Sequence, residues 1–250
     1  MVTAARNNPG CPAENKRASL KDSAFFVPTA DGTVTLHSTQ FDQTYHSVGG
    51  AVQEALHVYL HHGLEFYLER REARAQKGPF PEAVHLFEMG FGTGLNAWLT
   101  FQYANRKQCP VVYEAVELYP LEEKIWKELH YGPEEAFSAL HLAPWETPVT
   151  LSPYFTLIKH KADIRSFTAT SGPYNVVYYD AFSPDAQPEL WSKETFGYLA
   201  TNLAPDTVLT TYSSKGSVKQ ALRDNGFEVT RLSGVGGKRH IVRACFPATD

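Results

Sequence analysis

Cysteine is scarce in this chain of 250 residues: Cys11, Cys109 and Cys245 are odd in number and far apart. They offer neither a disulfide framework nor a zinc-ligand spacing, which favours a reducing cytoplasm. No apolar run approaches the ~20 residues that span a bilayer, and the N-terminus lacks the positive-then-apolar pattern of a secretory signal. An excess of positive charge is also missing. Lys and Arg total 23 against 27 Asp and Glu, a formal net charge of −4. Any contact with nucleic acid must therefore come from local basic clusters. There are no internal repeats and no low-complexity tract, and without a Gly-Lys-Ser/Thr a P-loop is excluded. The remaining composition, 43% hydrophobic and 20% charged, is globular, and the length suffices for one α/β domain with an appendage.

What the chain does have is centred on residues 84–96. Val84 to Phe87 is a short apolar run that reads as a buried parallel strand, with Glu88 at its end. Gly90-x-Gly92-x-Gly94 follows, and from Leu95 the pattern becomes helical, with Trp98, Leu99 and Tyr103 on one face. Strand, glycine turn and helix N-terminus together suit a nucleotide-like ligand, because glycines admit close approach and the helix start offers unpaired N–H groups. The dinucleotide fingerprint places its third glycine one residue later than here. Glu-x-Gly-x-Gly-x-Gly with a second acid one strand on resembles the S-adenosylmethionine loop of Rossmann-like methyltransferases. That second acid is Glu117, at the end of the strand 111–117.

Residues 1–22 are polar and read as a loose tail. Residues 23–80 read as a cap: a β-hairpin turned at Asp31-Gly32, a polar stretch studded with aromatics, then helices over 51–60 and 64–76. From 81 onward strands alternate with helices, which predicts a doubly wound, mostly parallel α/β sheet. Seven strands are expected, at 84–88, 111–117, 154–159, 175–180, 206–212, 226–232 and 239–245, with helices near 94–106, 120–130, 133–140, 192–203 and 215–225. The last two strands, with no helix between them, form an antiparallel edge hairpin.

Asp180 ends a strand and opens the loop Asp180-Ala181-Phe182-Ser183-Pro184, where substrate meets cofactor in such folds; a turn-capping Asp is the alternative. Asp163, with Ile164, follows the third strand and suits an adenine contact; a helix N-cap is the alternative. His57 and His61 with Glu65 have a metal-compatible helical spacing, but no further fixed ligand accompanies them, so no metal is expected. Basic clusters fall at Arg70, Arg71, Arg74 and Lys77, at Lys215, Lys219 and Arg223, and at Lys238, Arg239 and Arg243.

Several motifs occur in order: Phe41-Asp42-x-x-Tyr45-x-Ser47, Gly49-Gly50-Ala51-x-x-Glu54, Glu88 through Asn96, Asp180-Ala181-Phe182-Ser183-Pro184 through Trp191, and Gly237-Lys238-Arg239-x-x-x-Arg243. Over residues 25–245 the chain resembles the tRNA (5-methylaminomethyl-2-thiouridine) methyltransferase family, which also forms the methyltransferase half of a bifunctional bacterial wobble-uridine enzyme. The resemblance implies a Rossmann-like class I methyltransferase that moves a methyl group from S-adenosylmethionine to the exocyclic amine of 5-aminomethyl(-2-thio)uridine at the tRNA wobble position. It implies that Gly90, Gly92, Gly94 and Asn96, beside Glu88, hold the methionine end of the cofactor, Glu117 the ribose, and Asp163 and Ile164 the adenine. Asp180 would orient the amine and receive its proton. Asp42, Tyr45 and Glu54 would surround the transfer pocket, Asp42 and Tyr45 with the catalytic group and Glu54 with the cofactor. Tyr45 and Phe182 would stack on the uracil, and Lys238 and Arg239 would meet tRNA phosphate.

The expected partners are the anticodon loop and, since 250 residues leave no room for an FAD domain, a separate FAD-dependent oxidoreductase. In one place the chain departs from the family: the loop after Pro184 reads Asp185-Ala186-Gln187 where a lysine is usual. Two other readings share this fold, a spermidine-synthase-like aminopropyltransferase and a non-catalytic RNA-binding module.

Overall fold

The computed structural model describes residues 24–74, 83–235, 237 and 239–247, so the expected tail lies outside the described residues. Ala24–Pro28 (β1) and Val34–Ser38 (β2) pair antiparallel as the expected hairpin, and Gln43–Thr44 (β3) adds a short third strand. Asp31 does more than turn the hairpin. Its Oδ2 accepts the N–H groups of Val52 and Gln53 at 3.0 and 3.2 Å, while its Oδ1 accepts the hydroxyls of Thr29 and Thr33. Those two N–H groups have no partner inside the helix they begin, so one carboxylate joins hairpin to helix.

The two helices expected over 51–60 and 64–76 are one continuous rod up to Arg74, beyond which residues 75–76 lie outside the described residues. It comprises Ala51–Ala55 (α1), a π-wound stretch Leu56–Glu65, and Phe66–Arg74 (α2). Gly63, which looks like a break in the sequence, serves close approach instead. A Cβ there would stand 2.9 Å from the Tyr178 ring and 3.0 Å from Thr210 Oγ1, so the bare backbone lets the rod lie directly on the sheet.

All seven expected strands are present, and an eighth was not foreseen. In chain order they are Val84–Met89 (β4), Val111–Val116 (β5), Val149–Ser152 (β6), Phe155–His160 (β7), Tyr174–Tyr179 (β8), Leu203–Thr211 (β9), Glu228–Ser233 (β10) and His240–Cys245 (β11). Their order across the sheet is β10-β11-β9-β8-β4-β5-β7-β6. The centre is parallel; β10 and β11 form the predicted antiparallel hairpin, and the unforeseen β6 is an antiparallel edge against β7. Helices Leu95–Lys107 (α3), Glu134–Leu142 (α5), Lys193–Ala200 (α6) and Gly216–Arg223 (α7) match expectation within a few residues. The helix expected over 120–130 shrinks to Glu123–Trp126 (α4). The strand order reverses direction between β4 and β8, and the crevice above their carboxyl ends is where ligands bind in open α/β sheets.

A buried polar cluster fixes one flank of that crevice. Glu114, fully buried in β5, accepts from His160 Nε2 at 2.9 Å, from the N–H and hydroxyl of Thr170, from the N–H and hydroxyl of Ser171, and from Tyr174 OH. His160 reaches Glu146 with its other nitrogen at 2.6 Å. Burial pushes the Glu114 carboxyl upward, but the bonds from His160, Ser171 and Thr170 outweigh it and hold the group at about 2. Burial pulls His160 down, and its two carboxylate partners overcome that and raise it.

The signs set a pH window. The Glu114 contribution is present above its ordinary value of 4.5 and is lost as pH falls toward about 2. The His160 contribution is full below 6.5 and is lost as pH rises through the raised value. Thermal melts across pH should therefore show stability falling on both sides. A melt curve flat from pH 4.5 down to 2 would contradict the cluster.

Candidate active site

Two loops and the cap enclose a cavity of about 540 Å³ over the β4/β8 switch. Gly90 and Gly92 form one wall, with φ of 90° and 51°. A Cβ on Gly90 would meet the Asp180 carbonyl at 3.0 Å, and one on Gly92 would meet the Tyr45 ring at 3.2 Å. Glycine is therefore required by both conformation and space. Gly94, at φ 75°, begins α3, and its Cβ would meet His141 at 3.0 Å.

Behind the glycine loop stand residues that the sequence did not single out. Lys159, 1% exposed in β7, donates to the carbonyls of Leu140 and His141 at 2.8 and 2.7 Å, which end α5. Its ammonium also lies 5.1 Å from the Phe91 ring and 4.7 Å from the Trp145 ring, and burial lowers it to about 8. His141, lowered to about 4 by burial and by Lys159, is neutral near pH 7 and bonds the Thr93 carbonyl through Nε2 at 3.0 Å.

Asp180 follows β8, and its N–H bonds the Met89 carbonyl across the switch. Its Oδ1 accepts from Tyr59 OH at 2.5 Å and its Oδ2 from Asn96 Nδ2 at 2.8 Å. The same Asn96 nitrogen donates to Glu88 Oε1 at 3.0 Å. Burial, with the Asp180 charge beside it, holds the Glu88 carboxyl well above the usual carboxylate range. Burial thus disfavours the charged form of Glu88, while Asp180 is the partly exposed member of the pair. The loop beyond it is pinned at three carbonyls: Ala181 by Tyr212 OH, Phe182 by Trp191 Nε1, and Leu190 by Tyr179 OH.

Of the expected site residues, Asp42, Tyr45, Glu54, Gly90, Gly92, Glu117, Asp163, Ile164, Asp180 and Phe182 line the cavity. Glu88, Gly94 and Asn96 do not; they brace its wall from inside. Glu117 accepts from the N–H groups of Gly92 and Tyr119 at 3.0 and 2.8 Å, tying the β5 end to the glycine loop. Glu54 bonds Ser47 N at 3.0 Å. The Asp163 carboxylate is clasped by Arg165, whose backbone and guanidinium N–H groups fill both oxygens. Asp42 adopts φ 49°, and its side chain is 98% exposed with His37 3.5 Å away, which puts it on the rim.

Phe182 is stacked by Phe41 at 4.5 Å and 28°, with Tyr45 edge-on at 5.0 Å, so one face of the expected base-stacking ring is already covered. Gln43 closes the same seam by donating to Ser183 Oγ at 2.6 Å and accepting from Ser183 N at 3.0 Å. Lys215 pairs with Asp185, so a cation from outside the Asp180 loop reaches the segment that lacks a lysine. Arg239 is exposed on the β10–β11 connection, whereas Lys238 and Lys77 lie outside the described residues. Arg243 is no surface contact: its guanidinium lies 3.3 Å from the Phe66 ring centroid. Among the described residues no cluster of His, Cys, Asp or Glu is arranged for a metal, and no helix is long and apolar enough to cross a membrane.

The wall fits an adenosyl cofactor. Bare glycine backbone faces the cavity at one end, the Glu117 carboxylate offers a hydrogen-bond acceptor on the same wall, and Ile164 supplies an apolar surface. Glu117→Ala should raise the dissociation constant for S-adenosylmethionine by the equivalent of ~1.5–3 kcal/mol, the size of hydrogen bonds to a charged acceptor. Calorimetry showing an unchanged constant would remove Glu117 from the site.

Comparisons with known proteins agree with this geometry. Residues 147–247 match a family model described as S-adenosyl-L-methionine-dependent methyltransferase. The chain is 33% identical over 233 residues to the tRNA 5-methylaminomethyl-2-thiouridine biosynthesis bifunctional protein MnmC of Azoarcus sp. (strain BH72), covering 85% of this chain and 34% of that protein. It is 29% identical over 231 residues to the protein of the same name from Pseudomonas savastanoi pv. phaseolicola, covering 84% and 33%. The chain thus spans about a third of the length of these curated relatives. The solved structure of MNMC2 from Aquifex aeolicus superposes with a TM-score of 0.72 at 24% identity, over 93% of this chain and 74% of that one. Neither the aminopropyltransferase reading nor the non-catalytic one is favoured by these likenesses. The chain thus has the α/β fold of class I S-adenosyl-L-methionine-dependent methyltransferases, and by sequence it is similar to one third of MnmC.

Proposed function

We propose that the chain methylates the exocyclic amine of 5-aminomethyl(-2-thio)uridine at the wobble position of tRNA. The observation that carries this reading is the Asp180 carboxylate, held by two donors on the cavity wall next to the glycine loop. S-adenosylmethionine supplies an electrophilic methyl group when bound. Gly90, Gly92 and Glu117 would hold it, and Ile164 would offer the adenine an apolar surface. The adenine amino group falls to Asp163 only if the Arg165 clasp opens. An alkylammonium has no lone pair, so the amine must enter or become neutral before it attacks in line. Asp180 would accept a hydrogen bond from the amine, turn its lone pair toward the methyl group, and take up the proton shed as the N–CH3 bond replaces the S–CH3 bond and the cofactor's neutral thioether leaves.

Tyr45 and the free face of Phe182 flank the uracil, and a splayed anticodon base reaches them from the rim at Asp42. Arg239, with Lys238, is assigned to phosphate. Acting on tRNA places the chain in the cytoplasm, and a separate FAD-dependent oxidoreductase is the proposed source of the amine.

Nucleoside mass spectrometry after incubating the protein with S-adenosylmethionine and tRNA bearing 5-aminomethyl-2-thiouridine tests the reading. Gain of one methyl on that nucleoside is expected. No gain with cofactor binding intact would refute the substrate assignment.

A further inference from the structure

Tyr59 belongs to none of the motifs that mark the site, yet it makes a short hydrogen bond to Asp180. It sits in the π-wound stretch of the cap helix, is 3% exposed, and packs its ring on Tyr178 at 5.3 Å. Its hydroxyl donates to Asp180 Oδ1 at 2.5 Å, while Asn96 from α3 holds Oδ2 at 2.8 Å. The two donors come from different layers and take different oxygens, so the carboxylate is clamped about its own axis. Asn96 also binds Glu88, whereas Tyr59 is bonded to Asp180 alone among the bonds of the described residues.

We infer that Tyr59 is a positioning residue for the reaction, fixing the plane of the Asp180 carboxylate so that its lone pairs face the incoming amine. The inference rests on the reading of Asp180 as the amine-orienting group. It follows from how steeply such chemistry depends on orientation: a carboxylate free to rotate presents its lone pairs to the amine only part of the time. A buried tyrosine hydroxyl could be satisfied by any backbone carbonyl, but here it is spent on the acid at the cavity wall. The cap is thereby part of the reaction centre as well as its roof. The π winding and the bare Gly63, one turn beyond Tyr59, bring the ring down to Tyr178 and the hydroxyl to Asp180.

The groups facing this carboxylate are Glu88 on β4, Tyr113 on β5, Tyr59 on the cap helix and Tyr212 after β9, with Glu54 acting on both Tyr59 and Tyr212. The others are untouched when Tyr59 becomes phenylalanine, which removes one oxygen and keeps the ring.

In Tyr59→Phe, kcat for methyl transfer should fall 10- to 100-fold, with KM for tRNA and the cofactor dissociation constant within twofold of wild type. Loss of a donor to a carboxylate disfavours its charged form. The acid limb of the pH–rate profile should therefore move to higher pH, and the Asp180 carboxyl signal in a ¹³C titration should move with it. A kcat within threefold of wild type, a loss carried by KM instead, or an unmoved ¹³C titration overturns the inference. The titration needs no turnover. If wild type transfers no methyl group, the functional reading fails, and the titration alone still decides whether Tyr59 holds Asp180.

Discussion

Asp180→Asn should lower kcat for methyl transfer by ~10²–10⁴-fold, the range attributed to a positioned acid–base group, while leaving cofactor affinity within a few-fold. The variant changes one atom and no volume, yet it inverts half of the local hydrogen bonding. Wild-type Asp180 accepts on both oxygens, from Tyr59 and from Asn96. An amide accepts on one side only, so either Asn96 faces an N–H₂ group and loses its partner or the Tyr59 hydroxyl must turn from donor to acceptor. The negative charge is lost as well, and burial disfavours a charge on Glu88 in its place. Single-turnover kinetics beside calorimetry with S-adenosylmethionine separate the two effects. Retained kcat would remove Asp180 from the chemistry, and simultaneous loss of turnover and cofactor binding would make it structural.

Glu114→Ala should be the most damaging single change to the fold, by about 3–5 kcal/mol, the cost of removing one partner of a buried charged pair. Six donor groups converge on this carboxylate, from His160, Thr170, Ser171 and Tyr174. Alanine strands them and opens a void in the middle of β5. Because the cluster sits one strand from the glycine loop, the loss should reach the site through His160, whose carbonyl holds Glu117 N at 2.9 Å. Chemical denaturation reads the stability directly. A destabilisation under 1 kcal/mol would show that the donors find water or each other.

The parallel strands were legible because each is a buried apolar run bounded by turn residues, and β4, β5, β7 and β8 all share one burial pattern along their length. The glycine loop and Asp180 were legible because backbone approach and a strand-terminal acid leave marks within a dozen residues. β6 was not: Val-Thr-Leu-Ser is short, half-buried and at an edge, so no periodicity announces it. The cap helix was misread as two because Gly63 looks like a stop until Tyr178 is seen against it.

Residues that meet only in three dimensions stayed hidden. Lys159 is a polar residue in a strand until the end of α5 supplies two carbonyls for it. Arg165 is a surface cation until it closes on Asp163. Tyr59 lies 121 residues from the acid it serves. Local chemistry is written locally; the clamps that aim it are not.

The Gln43–Ser183 seam also has a consequence for how the molecule is made. Its two halves are 140 residues apart, and the earlier half leaves the ribosome first. At ~5–20 residues per second, Ser183 follows Gln43 by roughly 7–30 s. Throughout that interval Phe41 and Tyr45 have no Phe182 to close on. Until then this seam of the nascent cap stays open, and the loop whose arrival closes it is the one that also carries Asp180.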